Sequence, residues 1–399
     1  MIDVLVVGAG AAGLLAAIRS AQLGANTLLV EKTPRIGTKI LISGGGKCNI
    51  THDCSVKDLL SPFRKNEDHF LRPASYAFTK DNILDMLASE TIQVYTRPDG
   101  RVFPLDGDAK DVAGALRDLL SKSGAELKLN ARVDGILTRD GRVEGMTCAG
   151  EEILAKTVIL SVGGSSYPNS GTTGDGWKWA KAVGHTIVKP RAALAPIEIE
   201  PRLPTDWAGV ALRDTILKAR QNGKEIVRWR ADVLFTHKGI SGPACLGISR
   251  EVAEALENGE VTLEVDTVAS MKHETLAEEL LAWTKRHPRR FAVTAVEECV
   301  PNRVAPAILE ATGISSDTLC GQLSVKQRNR MVETLKSWQL GQASRVPIEK
   351  GEVTAGGVSL EEIDPYTMQS KLVQGLYLCG EMIDIAGPVG GYNLQAAFS

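Results

Sequence analysis

Gly8, Gly10 and Gly13 stand as G-x-G-x-x-G within the run GAGAAG. Glycines at this spacing can hold a pyrophosphate. Gly8 permits a tight turn, Gly10 lets the backbone approach the phosphates, and Gly13 lets the following helix pack close to a sheet. The helix start, with Ala11 and Ala12 beside Gly13, presents free N–H groups and the positive end of the helix dipole. Glu31 lies about twenty residues further on, where a carboxylate accepts from a ribose hydroxyl, and Lys32 follows it. A glycine-rich turn without a ligand is the bland alternative. NAD and FAD both fit these residues.

A second group is Ser43-Gly44-Gly45-Gly46-Lys47-Cys48-Asn49, with Lys39 just before it. Three consecutive glycines offer no side chain to a core and cost backbone entropy, so the loop suits close approach to a flat or charged ligand. A plain surface loop is the alternative. Cys48 is a candidate proton donor beside such a ligand, or an inert packed thiol. A redox disulfide with Cys54 is disfavoured. No histidine follows His287 to serve as the acid–base of a disulfide reductase, and no second strand–G-x-G-x-x-G is present. His237, in LFTHKGISGP at 234–243, is a candidate catalytic group, with a structural histidine as its alternative.

The surrounding elements must position these groups. Ile2 to Val7 reads as a buried parallel strand, Leu14 to Gly24 as a helix, and Thr27 to Val30 as a second strand ending at Glu31. Helical windows are expected at Asp81 to Glu90 and Ala109 to Lys122, with a hairpin at Val94 to Pro104 around Asp99-Gly100. Short strands follow near 126–129, 133–138 and 143–149. Thr157 to Val162, closed by Gly163-Gly164, belongs beside the first strand in a doubly wound sheet, and a polar loop at 165–176 leads into a helix at Trp177 to Val183.

The character changes near 190. Strands are expected at 197–199, 211–219, 225–230, 231–236 and 261–265, then a helical part to 340. From about 346 the first domain resumes. Val353 to Val358 and Gly375 to Cys379 read as strands, the second closed by Gly380-Glu381. Gly390-Gly391-Tyr392-Asn393 turns into a last helix start, whose N-terminus would stabilise the negative charge of a reduced flavin. This returning segment favours FAD over NAD, because the longer cofactor spans both parts.

The net charge of −2 and the 43% apolar content describe an ordinary globular chain with no global basic excess for nucleic acid or membrane. Seven cysteines, an odd number without an apparent leader, suggest a reducing cytoplasm. Residues 213–230 carry six basic and two acidic side chains, and KRHPRR stands at 285–290. Either could touch RNA phosphates, although solvated faces are the commoner reading.

The motifs SGGGKCN at 43–49, GGSSYPNSGTTGDG at 163–176, LFTHKGISGP at 234–243, TAGGV at 354–358 and GEMIDIAGPVGGYN at 380–393 together resemble one bacterial flavoprotein family. It is described as NAD(P)/FAD-dependent oxidoreductases or aminoacetone-oxidase-family FAD-binding enzymes, and includes bile-acid-operon flavoproteins and ribosomal-RNA dihydrouridine synthases. The resemblance covers nearly the whole chain. It implies an α/β fold: a glutathione-reductase-like Rossmann FAD domain at 1–189 and 347–399, and an insert at 190–346, β-rich over 190–268 and helical over 269–340. It implies that Gly8, Gly10, Gly13 and Glu31 hold the ADP half and that Gly44, Gly45 and Gly46 lie near the flavin. Glu381 with Gly390, Gly391, Tyr392 and Asn393 would hold the ribityl–pyrophosphate and the pyrimidine edge. Two features depart from the family: Lys47 replaces its usual Arg, keeping charge but losing the planar fork, and the eight residues from Tyr392 to Ser399 make a marginal helix. The sequence is therefore expected to stop short of the family's last helix.

The expectation is a FAD-dependent oxidoreductase. One reading has it reduce a uridine in ribosomal RNA with NAD(P)H as transient electron donor, Cys48 as the acid, and Tyr392 and His237 as reserves. A second is oxidation or reduction of a small molecule such as an amino-ketone. A third is a non-enzymatic FAD-binding protein. No metal site and no membrane association are expected.

Overall fold

The computed structural model describes residues 2–399. The chain forms two compact units, one of Met1–Arg191 with Glu352–Ser399 and one of Ala192–Gly351.

The first unit is built on Ile2–Val7, an apolar run rich in β-branched residues whose Leu5 and Val6 are fully buried. Residues of this kind suit a strand covered on both faces. Thr27–Val30 pairs with it in parallel on one side, Val7 opposite Val30. Glu151–Leu160 pairs in parallel on the other, with Leu5 opposite Val158. This last strand serves two partners along one edge. Its first half runs antiparallel to Arg142–Cys148, and its second half takes Leu376–Leu378 in parallel. The returning C-terminal chain thus completes the sheet begun by the N-terminus, as the doubly wound reading requires. The full order is Glu126–Lys128, Thr27–Val30, Ile2–Val7, Glu151–Leu160, Arg142–Cys148 and Val133–Arg139.

The helices obey local signals. Ala109–Ser123 starts at Asp108, whose carboxylate accepts from the Lys110 N–H at 2.6 Å, and stops at left-handed Gly124. Lys80–Ser89, capped by Thr79, starts one residue ahead of expectation. The hairpin at Asp99-Gly100 joins Val94–Thr96 to Arg101–Pro104, as its turn residues predict.

The second unit contains a closed six-stranded barrel. Its strands run in the order Ile197–Glu200, Gly239–Ser241, Lys224–Thr236, Ala211–Gln221, Val261–Asp266 and Trp338–Arg345. Two details correct the sequence reading. The strands expected at 225–230 and 231–236 are one strand, because nothing between Arg230 and Ala231 can turn the chain. The end of the expected helical part is a strand: helix ends at Lys336, and Trp338–Arg345 buries Trp338, Leu340 and Ala343. That strand pairs with both Val261–Asp266 and Ile197–Glu200, so it is the closing strand of the barrel. Trp207, Phe235 and Trp338 meet in its core, with ring centroids 5.2 to 6.2 Å apart.

Candidate cofactor and substrate site

The glycine turn at 8–13 is fixed by close packing. Ser161, at the end of the Glu151–Leu160 strand, donates its hydroxyl to the carbonyls of Val7 (2.8 Å) and Gly8 (3.0 Å). A Cβ on Gly13 would overlap the Gly8 carbonyl oxygen and the Ser161 hydroxyl. The position of Gly10 is different, since a Cβ there would meet nothing within 4 Å. Gly13 is therefore needed by the fold, and Gly10 leaves space for something outside it. The helix Ala11–Gln22 begins at Gly10 with no side-chain cap and no acid in its first turn. Its N–H groups stay available to an anion. Glu31 sits alongside, its carboxylate accepting from the N–H groups of Ala9 and Thr33, each at 2.8 Å. A carboxylate has lone pairs beyond those two bonds, so a ribose hydroxyl remains a possible donor to it.

The loop at 165–175 is stapled by two lysines. Lys32 donates to Thr173 (2.7 Å) and pairs with Asp175 (2.8 Å). Lys39 donates to the Ser166 hydroxyl (2.6 Å) and pairs with Glu381. Glu381 also accepts from Ser166 (2.9 Å) and from the Thr354 N–H (2.7 Å). The Thr354 hydroxyl in turn accepts from the N–H groups of Ser165 and Ser166. Lys32, Lys39 and Glu381 thus spend their charges holding four stretches of chain together. Gly164 lies against Thr354, and Gly380 against Ala12, so these glycines allow close packing within the same cluster.

The Ser43–Gly46 turn and the Gly390–Asn393 turn are brought together by the segment between Cys48 and Cys54. Only one orientation of the Asn49 amide satisfies both its ends. Its oxygen then accepts from the Gly391 N–H at 2.9 Å, and its nitrogen donates to the carbonyls of Thr51 and Val102. Thr51 donates to Gln395 at 2.7 Å. His52 Nδ1 lies 3.0 Å from the Gly390 carbonyl, and the His52 ring stacks on Tyr392. Asn393 clamps its own loop, accepting from the Gly387 N–H (2.8 Å) and donating to the Gly387 carbonyl (2.9 Å). At Gly45, as at Gly10, a Cβ would meet nothing within 4 Å.

The three sequence-predicted catalytic groups fall in different places. Tyr392 is half-buried at the meeting of the two turns, and burial followed by the neighbouring Cys54 raises its phenol above the usual value. Cys48 is fully buried among Val6, Leu14, Ile40 and Ile50, and burial pushes its thiol up to about 11 despite the Ser43 contact. A sulfur with no accessible surface cannot meet a substrate, so the packed-thiol alternative accounts for it. His237 is exposed in the turn between Lys224–Thr236 and Gly239–Ser241 of the second unit. Sequence reasoning gave no site role to His52 or Ser161, and it named Asn49, Ser166 and Thr354 only as members of motifs. Their partners are up to 342 residues distant, so no local pattern announces these bonds. Among the described residues no cluster suits a metal ion, and no helix is long and apolar enough to cross a membrane.

One further polar cluster has the order of a hydrolytic triad. Glu362 faces His185 Nδ1 at 3.0 Å, and His185 Nε2 faces the Ser370 hydroxyl at 2.8 Å. The Ser370 oxygen also accepts from the N–H groups of Leu372 (3.1 Å) and Val373 (2.9 Å), and the residue is 4% exposed. With its lone pairs filled it cannot attack, and the chain acts as a latch for the returning segment.

The uncapped N–H groups at Ala11 to Gly13, the Glu31 carboxylate and the open space at Gly10 and Gly45 are compatible with a dinucleotide cofactor. The profile of the HI0933-like protein Rossmann domain family matches residues 2–399, and the chain belongs to that family. It is an enzyme of the FAD-dependent oxidoreductase class. The chain is 29% identical to the ribosomal RNA dihydrouridine synthase of Escherichia coli over 400 residues, covering 100% of this chain and 95% of that protein. It is 27% identical to the 3-dehydro-bile acid delta(4,6)-reductase of Clostridium scindens, covering 99% and 96%. The fold is similar to that of the 3-ketosteroid delta1-dehydrogenase of Sterolibacterium denitrificans, with a TM-score of 0.53 at 15% identity, covering 100% and 97%.

Proposed function

We propose that this flavoenzyme reduces a carbon–carbon double bond conjugated to a carbonyl, with NAD(P)H as the electron source. The observation that carries this reading is the meeting of the Ser43–Gly46 and Gly390–Asn393 turns through Asn49 and His52, with half-buried Tyr392 beside them. The two relatives named above share one chemistry. Making dihydrouridine saturates the uracil bond conjugated to a carbonyl, and a delta(4,6)-reductase of a 3-dehydro bile acid removes double bonds conjugated to the 3-oxo group.

Bound FAD supplies the hydride in its reduced form. The chain's own groups do the rest. The N–H groups at Ala11 to Gly13 bind the pyrophosphate and Glu31 the ribose. Gly44 to Gly46, with Gly390 and Gly391, give backbone approach to the ring. The α-carbon of the substrate needs a proton after hydride reaches the β-carbon. Tyr392 is the donor: its half-buried phenol stands where the two turns meet, and a phenol is protonated near neutral pH.

Uridine in ribosomal RNA is the first substrate reading. Lys285, Arg286, Arg289 and Arg290 are exposed, and no ion pair neutralises them among the described residues, so they can take phosphates. A small-molecule substrate is the second reading. It is favoured by the barrel, where every basic side chain of 213–230 except Lys224 is paired: Arg213 with Asp232, Lys218 and Arg220 with Glu264, Arg228 with Glu225, and Arg230 with Asp214. The test is to reduce the FAD-loaded protein anaerobically and offer it, in turn, ribosomal RNA lacking dihydrouridine, a cyclic enone and an amino-ketone-derived imine. Reoxidation by RNA supports the first reading, and reoxidation by the enone alone supports the second. Reoxidation by oxygen alone would sink both.

A further inference from the structure

The ring of His52 occupies a position that neither the glycine motifs nor the family assignment explains. His52 ends the short strand Thr51–His52, four residues after Cys48. Its Nδ1 lies 3.0 Å from the Gly390 carbonyl oxygen. A carbonyl only accepts, so Nδ1 carries a proton and donates it to this bond. The ring stacks on Tyr392 with centroids 4.9 Å apart and planes inclined by 19°. Phe63 meets the Tyr392 ring edge-on at 6.3 Å. The phenol ring is thus bounded by a face on one side and an edge on another.

The neighbouring glycines are shaped by these rings. A Cβ on Gly390 would come within 2.8 Å of the Tyr392 ring, and one on Gly387 within 2.7 Å of Phe63. A Cβ on Gly100, in the hairpin turn, would overlap His52 Nε2. Three glycines in two loops therefore leave out side chains where an aromatic box must fit. A half-buried imidazole could serve as packing, but a phenylalanine would pack as well. The polar bond to Gly390 is what histidine adds, and it ties the ring to the turn that carries Tyr392.

We infer that His52 is a positioning residue for Tyr392 as proton donor, acting through the stacked ring and the Gly390 carbonyl. This rests on the reading of Tyr392 given above. The balance of the step is simple. The substrate double bond opens; its β-carbon gains a hydride from the flavin reduced by NAD(P)H, and its α-carbon takes the proton from the Tyr392 hydroxyl. The phenolate regains a proton from solvent. His52 neither gains nor loses a proton in the step. It holds the phenol in the one orientation from which transfer to the α-carbon is short, and misplacement at this level is costly.

The experiment uses the FAD-loaded full chain and four variants: His52→Phe, His52→Ala, Tyr392→Phe and the His52→Phe/Tyr392→Phe double variant. Each is measured for bound flavin, thermal stability, and kcat and KM with the acceptor that reoxidises the enzyme. Tyr392→Phe should lose about 100-fold or more in kcat. His52→Phe should keep its flavin and lose about 10- to 100-fold in kcat with little change in KM. The double variant should be no slower than Tyr392→Phe alone. A second readout needs no turnover: nitrogen-15 NMR of the imidazoles should show His52 carrying a proton on Nδ1. Full kcat in His52→Phe, or a proton on Nε2 alone, would overturn the inference. Full kcat in Tyr392→Phe would instead remove the proton-donor reading, and the NMR result would still report on the His52–Gly390 bond.

Discussion

Lys39 and Glu381 form an ion pair across 342 residues of sequence, and Ser166 bonds to both. The pair joins the short helix Thr38–Ile42, just before the glycine turn at 43–46, to the turn that follows the strand Leu376–Leu378. Removing Lys39 leaves a mostly buried carboxylate with one partner fewer. Lys39→Ala should cost about 2 kcal/mol of stability, and the conservative Lys39→Arg less. Urea unfolding of both variants checks the magnitude. Loss of FAD on dilution, more in Lys39→Ala than in wild type, checks that the pair supports the cofactor.

Gly10 and Gly13 should separate folding from cofactor binding. Gly13→Ala drives a Cβ into the Gly8 carbonyl and the Ser161 hydroxyl, so it should lower thermal stability with or without FAD. Gly10→Ala meets nothing in the protein, so its apo form should melt as wild type does while its FAD affinity falls at least about tenfold, because close approach to the pyrophosphate is blocked. Calorimetry of the stripped proteins and flavin titration measure the two effects.

The latch at His185 predicts a pH dependence. Burial pulls the imidazole below its ordinary 6.5, against the attraction of Glu362. The unfolded chain then binds more protons than the folded one as the pH drops below 6.5, so stability is present above that value and is lost as the pH falls. Glu362, lowered from 4.5, adds a further loss below that pH. His185→Ala should cost about 2 kcal/mol at pH 8 and flatten the stability profile between pH 6.5 and 5. Denaturant midpoints across that range give the slope.

Glu264 in the barrel makes a contrasting case. Burial raises its pKa, but Lys218, Ser337 and Arg220 more than offset this and hold it at about 2. Its contribution is present above 4.5 and is lost as the pH falls towards 2. Glu264→Gln leaves Lys218 and Arg220 without a counter-charge and should cost about 3 kcal/mol at neutral pH. Unfolding followed by the tryptophan fluorescence of the barrel core reports it.

The parts of the fold that could be read from the sequence are those set by neighbours in the chain. The strand, glycine turn, helix and second strand from Ile2 to Val30 follow from apolar runs and glycine spacing, and the Asp99-Gly100 hairpin from its turn residues. Trp338–Arg345 was hidden because its alternation is short and Gly341 interrupts it, while its pairing partners lie far back in the chain. The candidate site divides the same way. Gly10, Glu31 and Tyr392 belong to motifs. Cys48 belongs to one too, yet its neighbours in space bury it. His52 belongs to none, and its role comes from a carbonyl and a ring at the other end of the chain. The seven-residue helix Tyr392–Phe398 forms because Thr51 and Phe78 bond to Gln395 and Ser399, which intrinsic helix propensity does not reveal.

The most direct test of the central claim is the visible absorption spectrum of the purified protein, recorded before and after anaerobic NADH or NADPH, in wild type and in Gly10→Ala. A flavin spectrum that bleaches with the reduced nicotinamide in wild type, and is absent or weak in Gly10→Ala, is the predicted result. A well-folded wild-type protein that carries no flavin and takes up none from added FAD would contradict it.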